Sequence, residues 1–127
     1  MHPLALILYH KQATSARLRF ARFGDSMLAA RLDLATDAAP HPGALLGAAA
    51  DRLGLPVGEL RIDPEFHGRL LAASGSASVW LGELLATDPP FAAVEAAGGR
   101  FVLLTELHGI PTPERDLMRA VYEHVLG

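Results

Sequence analysis

The stretch from Leu4 to Tyr9 is apolar at every position, and it constrains the fold more than any other feature of the sequence. Side chains of successive strand residues point to opposite faces, and here the leucines at positions 4, 6 and 8 alternate with Ala5, Ile7 and Tyr9. A strand with two apolar faces is typical of a sheet covered on both sides. The sequence therefore predicts a central strand at 4–9.

Two further strands are predicted before the first helix. In segment 17–20 the apolar Leu18 and Phe20 alternate with arginines, and in segment 30–34 apolar and charged residues alternate in the same way. This period of two indicates half-buried strands with one polar face. A loop from Ala35 to Pro40 follows the third strand.

An alanine-rich helix is predicted in the segment His41–Leu55. Its apolar residues recur at helical spacing, and they are Leu45, Ala49 and Leu53, with Leu46 and Ala50 beside them. Gly54 can adopt the left-handed conformation that ends a helix. Gly47 costs helix stability, which suggests that the helix docks on a sheet and that the glycine permits a close backbone approach.

The second half of the chain begins with one bent or edge strand, predicted from Leu60 to Leu71 with an interruption at Pro64. Small residues at 73–76 predict a turn, and the largely apolar run from Ser78 to Leu85 predicts the second strand of a hairpin. Trp80 is expected to be buried in that hairpin.

Residues 88–99 are predicted to be irregular, and Arg100–Thr105 is predicted to form a short strand with both faces covered. A final helix is predicted from Thr112 to Leu126, with Thr112 as N-cap and Glu114 complementing the positive end of the helix. Its apolar stripe is Leu117, Val121 and Val125. The predicted element order is therefore βββ-α-βββ-α.

The composition predicts a single domain spanning 1–127, because 127 residues with 50% hydrophobic content suit one core. A net charge of −3 argues against binding to nucleic acid or to an anionic membrane. The absence of cysteine excludes disulfides and thiolate metal sites, and it favours a cytoplasmic protein. Ten arginines against the single Lys11 indicate a GC-rich, bacterial-type coding background rather than a function.

Three stretches, taken in order, resemble the Nudix hydrolase superfamily. AAADRLGLP, at the end of the first predicted helix, resembles the tail of the family's Nudix helix. Glu95 followed by GGRFVLLTEL resembles its late acidic residue and the strand after it, and RDLMRAVYEHVLG resembles its closing helix. The resemblance implies a mixed α/β (α+β) fold in which helices cover a mixed β-sheet, an α/β/α sandwich.

The family motif, G-x5-E-x7-R-E-U-x-E-E-x-G-U with U aliphatic, aligns its final pair with Gly54 and Leu55. On that register most of the chemical positions are lost, since they fall on Asp33, Ala39, Gly47, Ala48, Asp51 and Arg52. Cleavage of a pyrophosphate needs Mg²⁺ held by carboxylates to neutralise developing charge and activate water. The motif is therefore interpreted as degenerate, with its folding requirements kept and its metal ligands lost.

Five polar residues are candidates for a site. Asp51 is the residual candidate for a metal ligand, and Arg52 beside it is a candidate contact for an anionic ligand. Glu65 and His67 lie two apart in the predicted strand and so share a face, which could place an acid and a base in one pocket. His67 is also a candidate contact for a bound ligand. Glu83 lies in an apolar run, so its carboxylate needs solvent, a hydrogen-bond donor or a cation. A solvated or structural role is the competing interpretation for each.

The sequence thus favours a Nudix-fold protein that lacks conventional pyrophosphohydrolase activity and binds a small ligand or a protein. The alternative is a divergent metal-dependent hydrolase of nucleoside diphosphate-type substrates, using Asp51, Glu65 and Glu83 as non-standard carboxylates. Mg²⁺ is expected as cofactor only under that alternative. A third possibility is self-association, with a homodimer formed through a sheet edge or the final helix.

Overall fold

The computed structural model describes residues 2–15, 17–34, 41–72 and 75–126. Seven strands and three α-helices occur in those ranges. In chain order they are β1 (His2–Gln12), β2 (Arg17–Phe23), β3 (Leu28–Leu34), α1 (Pro42–Leu53), β4 (Leu60–Ile62), β5 (Gly68–Ala72), β6 (Gly75–Leu84), α2 (Phe91–Ala96), β7 (Gly99–Val102) and α3 (Thr112–Leu126). Short 3₁₀ turns occupy Val57–Glu59 and Leu104–Glu106.

The strands form one mixed sheet in the order β4-β6-β1-β2-β7. β1 and β6 are parallel at its centre, with Leu4 opposite Ser78 and Tyr9 opposite Glu83. β3 pairs antiparallel with the first part of β1, and β5 with the first part of β6. The prediction of a central strand at 4–9 is confirmed, because residues 4–8 are completely buried.

Helices cover both faces of the sheet, as a doubly apolar central strand requires. The even-numbered leucines of β1 pack with Leu45, Ala49 and Leu53 of α1 and with Val94 of α2. On the other face, Ile7 and Phe20 pack with Leu117, Met118 and Val121 of α3. The predicted α/β/α sandwich with a mixed sheet is therefore confirmed.

The single bent strand predicted over Leu60–Leu71 is wrong. β4 and β5 are separate strands that pair with opposite ends of β6, and a turn at residues 63–67 lies between them. The predicted hairpin is formed by β5 and β6, while residues 73 and 74 of its turn lie outside the described residues. The expected full burial of Trp80 is not observed: the side chain is partly buried on the α1 side of the sheet, and its ring stacks on His67.

The region after β6 also differs from the prediction. The stretch expected to be irregular contains α2, and α2 is too short to show a helical period clearly. β7 is shorter than predicted and ends at Val102. Val102 is buried on the α3 side and the half-buried Phe101 packs on the other side, so both faces are covered at these two residues. The amide of Arg115 bonds to the carbonyl of Pro111, which places Thr112 inside the first turn of α3 rather than before it.

No helix among the described residues is long and apolar enough to cross a membrane. The loop predicted at residues 35–40 lies outside the described ranges, and so does Ala39 of the aligned motif.

Candidate functional site

Helix α1 occupies the position where the Nudix resemblance would place its chemistry. The helix ends at Gly54, which has a φ of +66°, and the amide of Leu55 closes the end on the carbonyl of Ala50 at 3.0 Å. This left-handed ending and the buried stripe on the sheet agree with the sequence prediction. A Cβ built on Gly47 would meet nothing within 4 Å, so the expected close backbone approach at that glycine is wrong.

Asp51 and Arg52 lie on the exposed side of α1. The guanidinium of Arg52 lies 4.0 Å from the centre of the Phe23 ring, and its Nη1 donates to the carbonyl of Ala29 at 3.0 Å. A cation over an aromatic face is stabilised by the ring quadrupole, so both contacts hold the Arg52 side chain against β2 and β3. Asp51 forms no ion pair with any described residue.

Glu65 and His67 do not share a strand face, because both belong to the connection between β4 and β5. The amide of Glu65 bonds to the Oδ1 atom of Asp63 at 3.0 Å, and the Glu65 side chain is exposed. The His67 ring stacks on Trp80 at a centroid distance of 4.7 Å. The expectation of an acid and a base on one face was wrong because the turn breaks the alternation that it assumed.

Glu83 lies on the α3 side of the sheet and forms an ion pair with Arg61 of β4. Tyr9 of β1 lies opposite Glu83 in the parallel pairing of β1 with β6. Burial of the phenol, followed by the nearby charges of Glu83 and Asp63, raises the pKa of Tyr9 to about 12. Glu83 thus has the cation that a carboxylate in an apolar run requires.

A second polar contact, between Asp63 and His124, lies on the same side of the sheet. The Oδ2 atom of Asp63 lies 2.8 Å from Nε2 of His124, in the last turn of α3, and the His124 ring packs against Phe66. This pair joins the end of α3 to the residues that follow β4. Asp63 and Glu83 are therefore both engaged in contacts between elements.

The three candidate carboxylates are not brought together. Asp51 lies on α1, Glu83 lies on the face covered by α3, and Glu65 lies in the turn after β4. No group of three or more histidine, aspartate or glutamate side chains in ranges 2–15, 17–34, 41–72 and 75–126 is arranged to hold a metal ion. Mg²⁺ prefers octahedral oxygen ligands, and these residues do not fit such a site.

Three polar side chains among the described residues are buried, His10, Arg22 and Glu114, and none of them was a predicted site residue. Glu114 and Arg22 both make contacts around α3. Glu114 is 7% exposed, and its Oε1 atom accepts hydrogen bonds from the Met27 amide at 2.6 Å and from Ser26 Oγ at 3.1 Å. Its spacing to Leu117 and Met118 places it on the buried side of α3, and that spacing was the available signal. Glu114 joins α3 to the turn between β2 and β3.

Arg22 is the second, and it is 6% exposed. Its Nε donates to the Gly24 carbonyl at 2.7 Å, and its Nη1 donates to the carbonyls of Glu106 and His108 at 3.1 and 2.7 Å. Arg22 shares a strand face with the apolar Leu18 and Phe20, and this alternation was the available signal that it could be buried. The side chain fixes the segment that leads from β7 into α3.

That segment forms one wall of a groove of about 390 Å³, and α3 forms the other wall. We call it the arginine groove. It is lined by Leu104, Thr105, Leu107, His108, Arg115, Arg119 and Tyr122. Its volume is within the range of small-molecule sites, which often combine apolar walls with a few polar groups. None of the five residues singled out from the sequence lines it.

The opposite flank of α3 carries a second groove, of about 380 Å³, against β5. It is lined largely by small and apolar residues, and its charged residues, Arg69 and Asp116, have opposite signs. The arginine groove differs because both of its permanently charged side chains are cationic.

No family model matches the sequence, and no curated protein matches it. Solved structures of similar fold do exist. The chain matches an Ap4A hydrolase from C. elegans, in a binary complex, with a TM-score of 0.69 and 14% identity over 98% of each chain.

Two other structures broaden this comparison. A Nudix hydrolase from M. smegmatis, RenU, matches with a TM-score of 0.63 and 14% identity over 98% of this chain and 87% of that one. NrtR from Shewanella oneidensis, complexed with a 27mer DNA, matches with a TM-score of 0.57 and 10% identity over 98% and 61%. The class defined by the architecture is therefore the mixed α/β/α sandwich, and within that class the chain has the Nudix hydrolase fold.

Proposed function

We propose that this Nudix-fold chain lacks conventional pyrophosphohydrolase activity and acts as a binding module for a small ligand or a protein. The observation that carries the proposal is the identity of the α1 residues at the aligned motif positions. Gly47, Ala48 and Arg52 occupy aligned motif positions where the family has an arginine and two glutamates, and Asp51 is the only carboxylate left on the helix.

Electrostatics support this proposal. A lone aspartate offers few of the oxygen ligands that position Mg²⁺ on a diphosphate, and the positive charge of Arg52 is adjacent to it in sequence. A cation there opposes the binding of a divalent metal ion. The contacts of Arg52 with Phe23 and Ala29 favour a structural role for the side chain.

The divergent-hydrolase alternative would need Asp51, Glu65 and Glu83 to serve one metal ion. Asp51 lies on α1, which covers one face of the sheet, whereas the Glu83 side chain lies on the opposite face and is paired with Arg61. The separation favours the binding module over the metal-dependent enzyme.

A metal-dependent hydrolysis assay tests the proposal. The purified chain and its Asp51→Ala variant are incubated with a nucleoside diphosphate derivative across a titration of Mg²⁺ and then of Mn²⁺, and products are separated by chromatography. We expect no metal-dependent turnover by either protein. Saturable, metal-dependent turnover that Asp51→Ala abolishes would refute the proposal.

Self-association is a separate question about partners. Light scattering across a concentration series, with and without candidate ligands, measures the mass of the particle directly. A mass that stays at 13.5 kDa would exclude the homodimer proposal, and a concentration-dependent doubling would support it.

A further inference from the structure

The arginine groove is the described surface feature that combines cationic and aromatic side chains in one cavity of small-molecule size. Arg115 and Arg119 are four residues apart on α3, so their side chains emerge on the same side of the helix. Like charges at this spacing destabilise a helix, so the pair is unfavourable in the free protein. A bound anion would turn that repulsion into attraction.

Neither arginine forms an ion pair with a carboxylate among the described residues. The ion pairs in that part of the chain are Arg61–Glu83 and Asp63–His124, and no carboxylate oxygen lies within 4.0 Å of Arg115 or Arg119. Glu123 follows Arg119 by one turn without pairing with it. Glu106, on the facing wall, already accepts a hydrogen bond from the Leu103 amide at 2.8 Å through Oε1.

The facing wall is held in place from behind by Arg22. Hydrogen bonds from its guanidinium to the carbonyls of Glu106 and His108 fix the backbone beside the groove. Leu107, between those two residues, is 9% exposed and packs into the core on the α3 side. A fixed wall lowers the ordering cost of binding, since less of the site must be immobilised by the ligand.

Buried charge behind the wall adds to the cationic character. The hydrogen bonds of Arg22 go to carbonyl oxygens, and it forms no ion pair with a described carboxylate. Glu114 is the buried carboxylate in this region, and it is engaged by the amide of Met27 and the hydroxyl of Ser26. Arg115 and Arg119 are exposed and accessible to a ligand.

The rest of the lining is apolar or aromatic. Leu104 and Leu107 lie on the wall side, and Tyr122, which is 38% exposed, lies on the helix side one turn beyond Arg119. An aromatic side chain with an accessible surface offers a stacking partner to a flat ring. The groove therefore combines a cationic part with an apolar part.

We infer that the arginine groove binds an organic phosphate monoester whose phosphate is attached to an aromatic or apolar group. The Arg115 and Arg119 guanidinium groups, which match phosphate oxygens in planar geometry, bind the phosphate. His108 provides a further polar group at the rim, and Leu104, Leu107 and Tyr122 contact the ring. The inference rests on the proposed binding function and adds the site and the chemical class of its ligand.

Phenyl phosphate is the probe for a test by isothermal titration calorimetry of the full chain. We expect saturable binding at millimolar concentrations or below. Arg115→Gln and Arg119→Gln should each weaken binding about tenfold or more, because each removes a charge-assisted contact. Arg31→Gln, which removes an exposed arginine on β3, should leave the affinity unchanged and controls for the loss of net charge.

The apolar part has its own probes. Inorganic phosphate should bind about tenfold more weakly than phenyl phosphate, and Tyr122→Ala should remove that difference while leaving phosphate affinity intact. Circular dichroism of each variant establishes that it is folded. Equal affinities of the wild-type protein for both probes would overturn the assignment of the ring.

Absence of saturable phenyl phosphate binding to folded wild-type protein would overturn the site as a whole. So would an equal loss of affinity in Arg31→Gln and Arg115→Gln, since that would mean nonspecific attraction to net charge. Neither outcome affects the proposed lack of hydrolysis. That proposal fails separately, through metal-dependent turnover abolished by Asp51→Ala.

Discussion

The carboxylate of Glu114 connects two parts of the chain that are distant in sequence, and its removal should measurably weaken the fold. The side chain reaches from the first turn of α3 to Ser26 and Met27, in the connection between β2 and β3. Met27 is completely buried, so its amide has no access to solvent if the acceptor is removed. Glu114→Ala is the direct test.

The size of the effect follows from those contacts. Hydrogen bonds to a charged group contribute about 1.5–3 kcal/mol each, and a buried amide left without a partner costs about 1–3 kcal/mol. Removing the carboxylate also relieves the cost of burying its charge, which offsets part of this loss. We therefore expect Glu114→Ala to lower the free energy of unfolding by about 2–4 kcal/mol.

Urea denaturation followed by far-ultraviolet circular dichroism measures this difference, with the m value checked for constancy. Glu114→Gln keeps an oxygen acceptor for the Met27 amide and should lose only about 1 kcal/mol. Glu123→Ala removes an exposed carboxylate from the same helix and should change stability by less than about 0.5 kcal/mol. Losses as small in Glu114→Ala as in Glu123→Ala would refute the role assigned to the contact.

Three other perturbations test separate parts of the fold. Because the folded-state pKa of Tyr9 is raised from 10.0 to about 12, its neutral form stabilises the fold fully below pH 10, and this contribution is lost as the pH rises towards 12. Urea titrations at several pH values between 10 and 12 measure this decline in the free energy of unfolding. The decline should be smaller for the Tyr9→Phe variant than for the wild-type protein. Gly82→Ala should destabilise by about 1–2 kcal/mol in urea, since its Cβ would lie 2.8 Å from a methyl carbon of Leu8. Arg52→Ala should lower the free energy of unfolding by about 1 kcal/mol through the lost ring and carbonyl contacts.

Matched variants separate these effects from general ones. Gly47→Ala places a methyl group in open space within a helix and should stabilise by about 0.5–1 kcal/mol, so equal losses at Gly47 and Gly82 would contradict the packing argument. Asp51→Ala, next to Arg52, should be nearly neutral. A loss there as large as in Arg52→Ala would contradict the assigned contacts. An identical alkaline decline in wild type and Tyr9→Phe would contradict the assignment to that phenol.

The sequence predicted those elements whose signal is local. β1 shows two apolar faces, α1 ends at a glycine, and α3 repeats its apolar residues at helical spacing, so each needs only neighbouring residues to be recognised. The break between β4 and β5 was missed because alternation resumes beyond Pro64. Which end of β6 each strand joins depends on tertiary pairing.

The polar contacts were harder to predict because their partners are distant in sequence. Glu114 lies 87 residues from Met27, and Arg22 lies 86 residues from His108, so no local pattern identifies either pair. Burial of the side chains could have been inferred from their apolar surroundings. The arginine groove was missed for the same reason, since one wall precedes α3 and the other is its outer flank.

The parallel pairing of β1 with β6 also affects how the chain folds. β1 can pair early with β2 and β3, but its partners in β6 are distant in sequence, as the pairing of Leu4 with Ser78 illustrates. Contacts of such long range slow folding, because loop closure must precede them. During synthesis, β1 would leave the ribosome long before β6 and keep one apolar edge unpaired. Chaperones that bind extended apolar segments would have their best target at the strand that later becomes the most deeply buried.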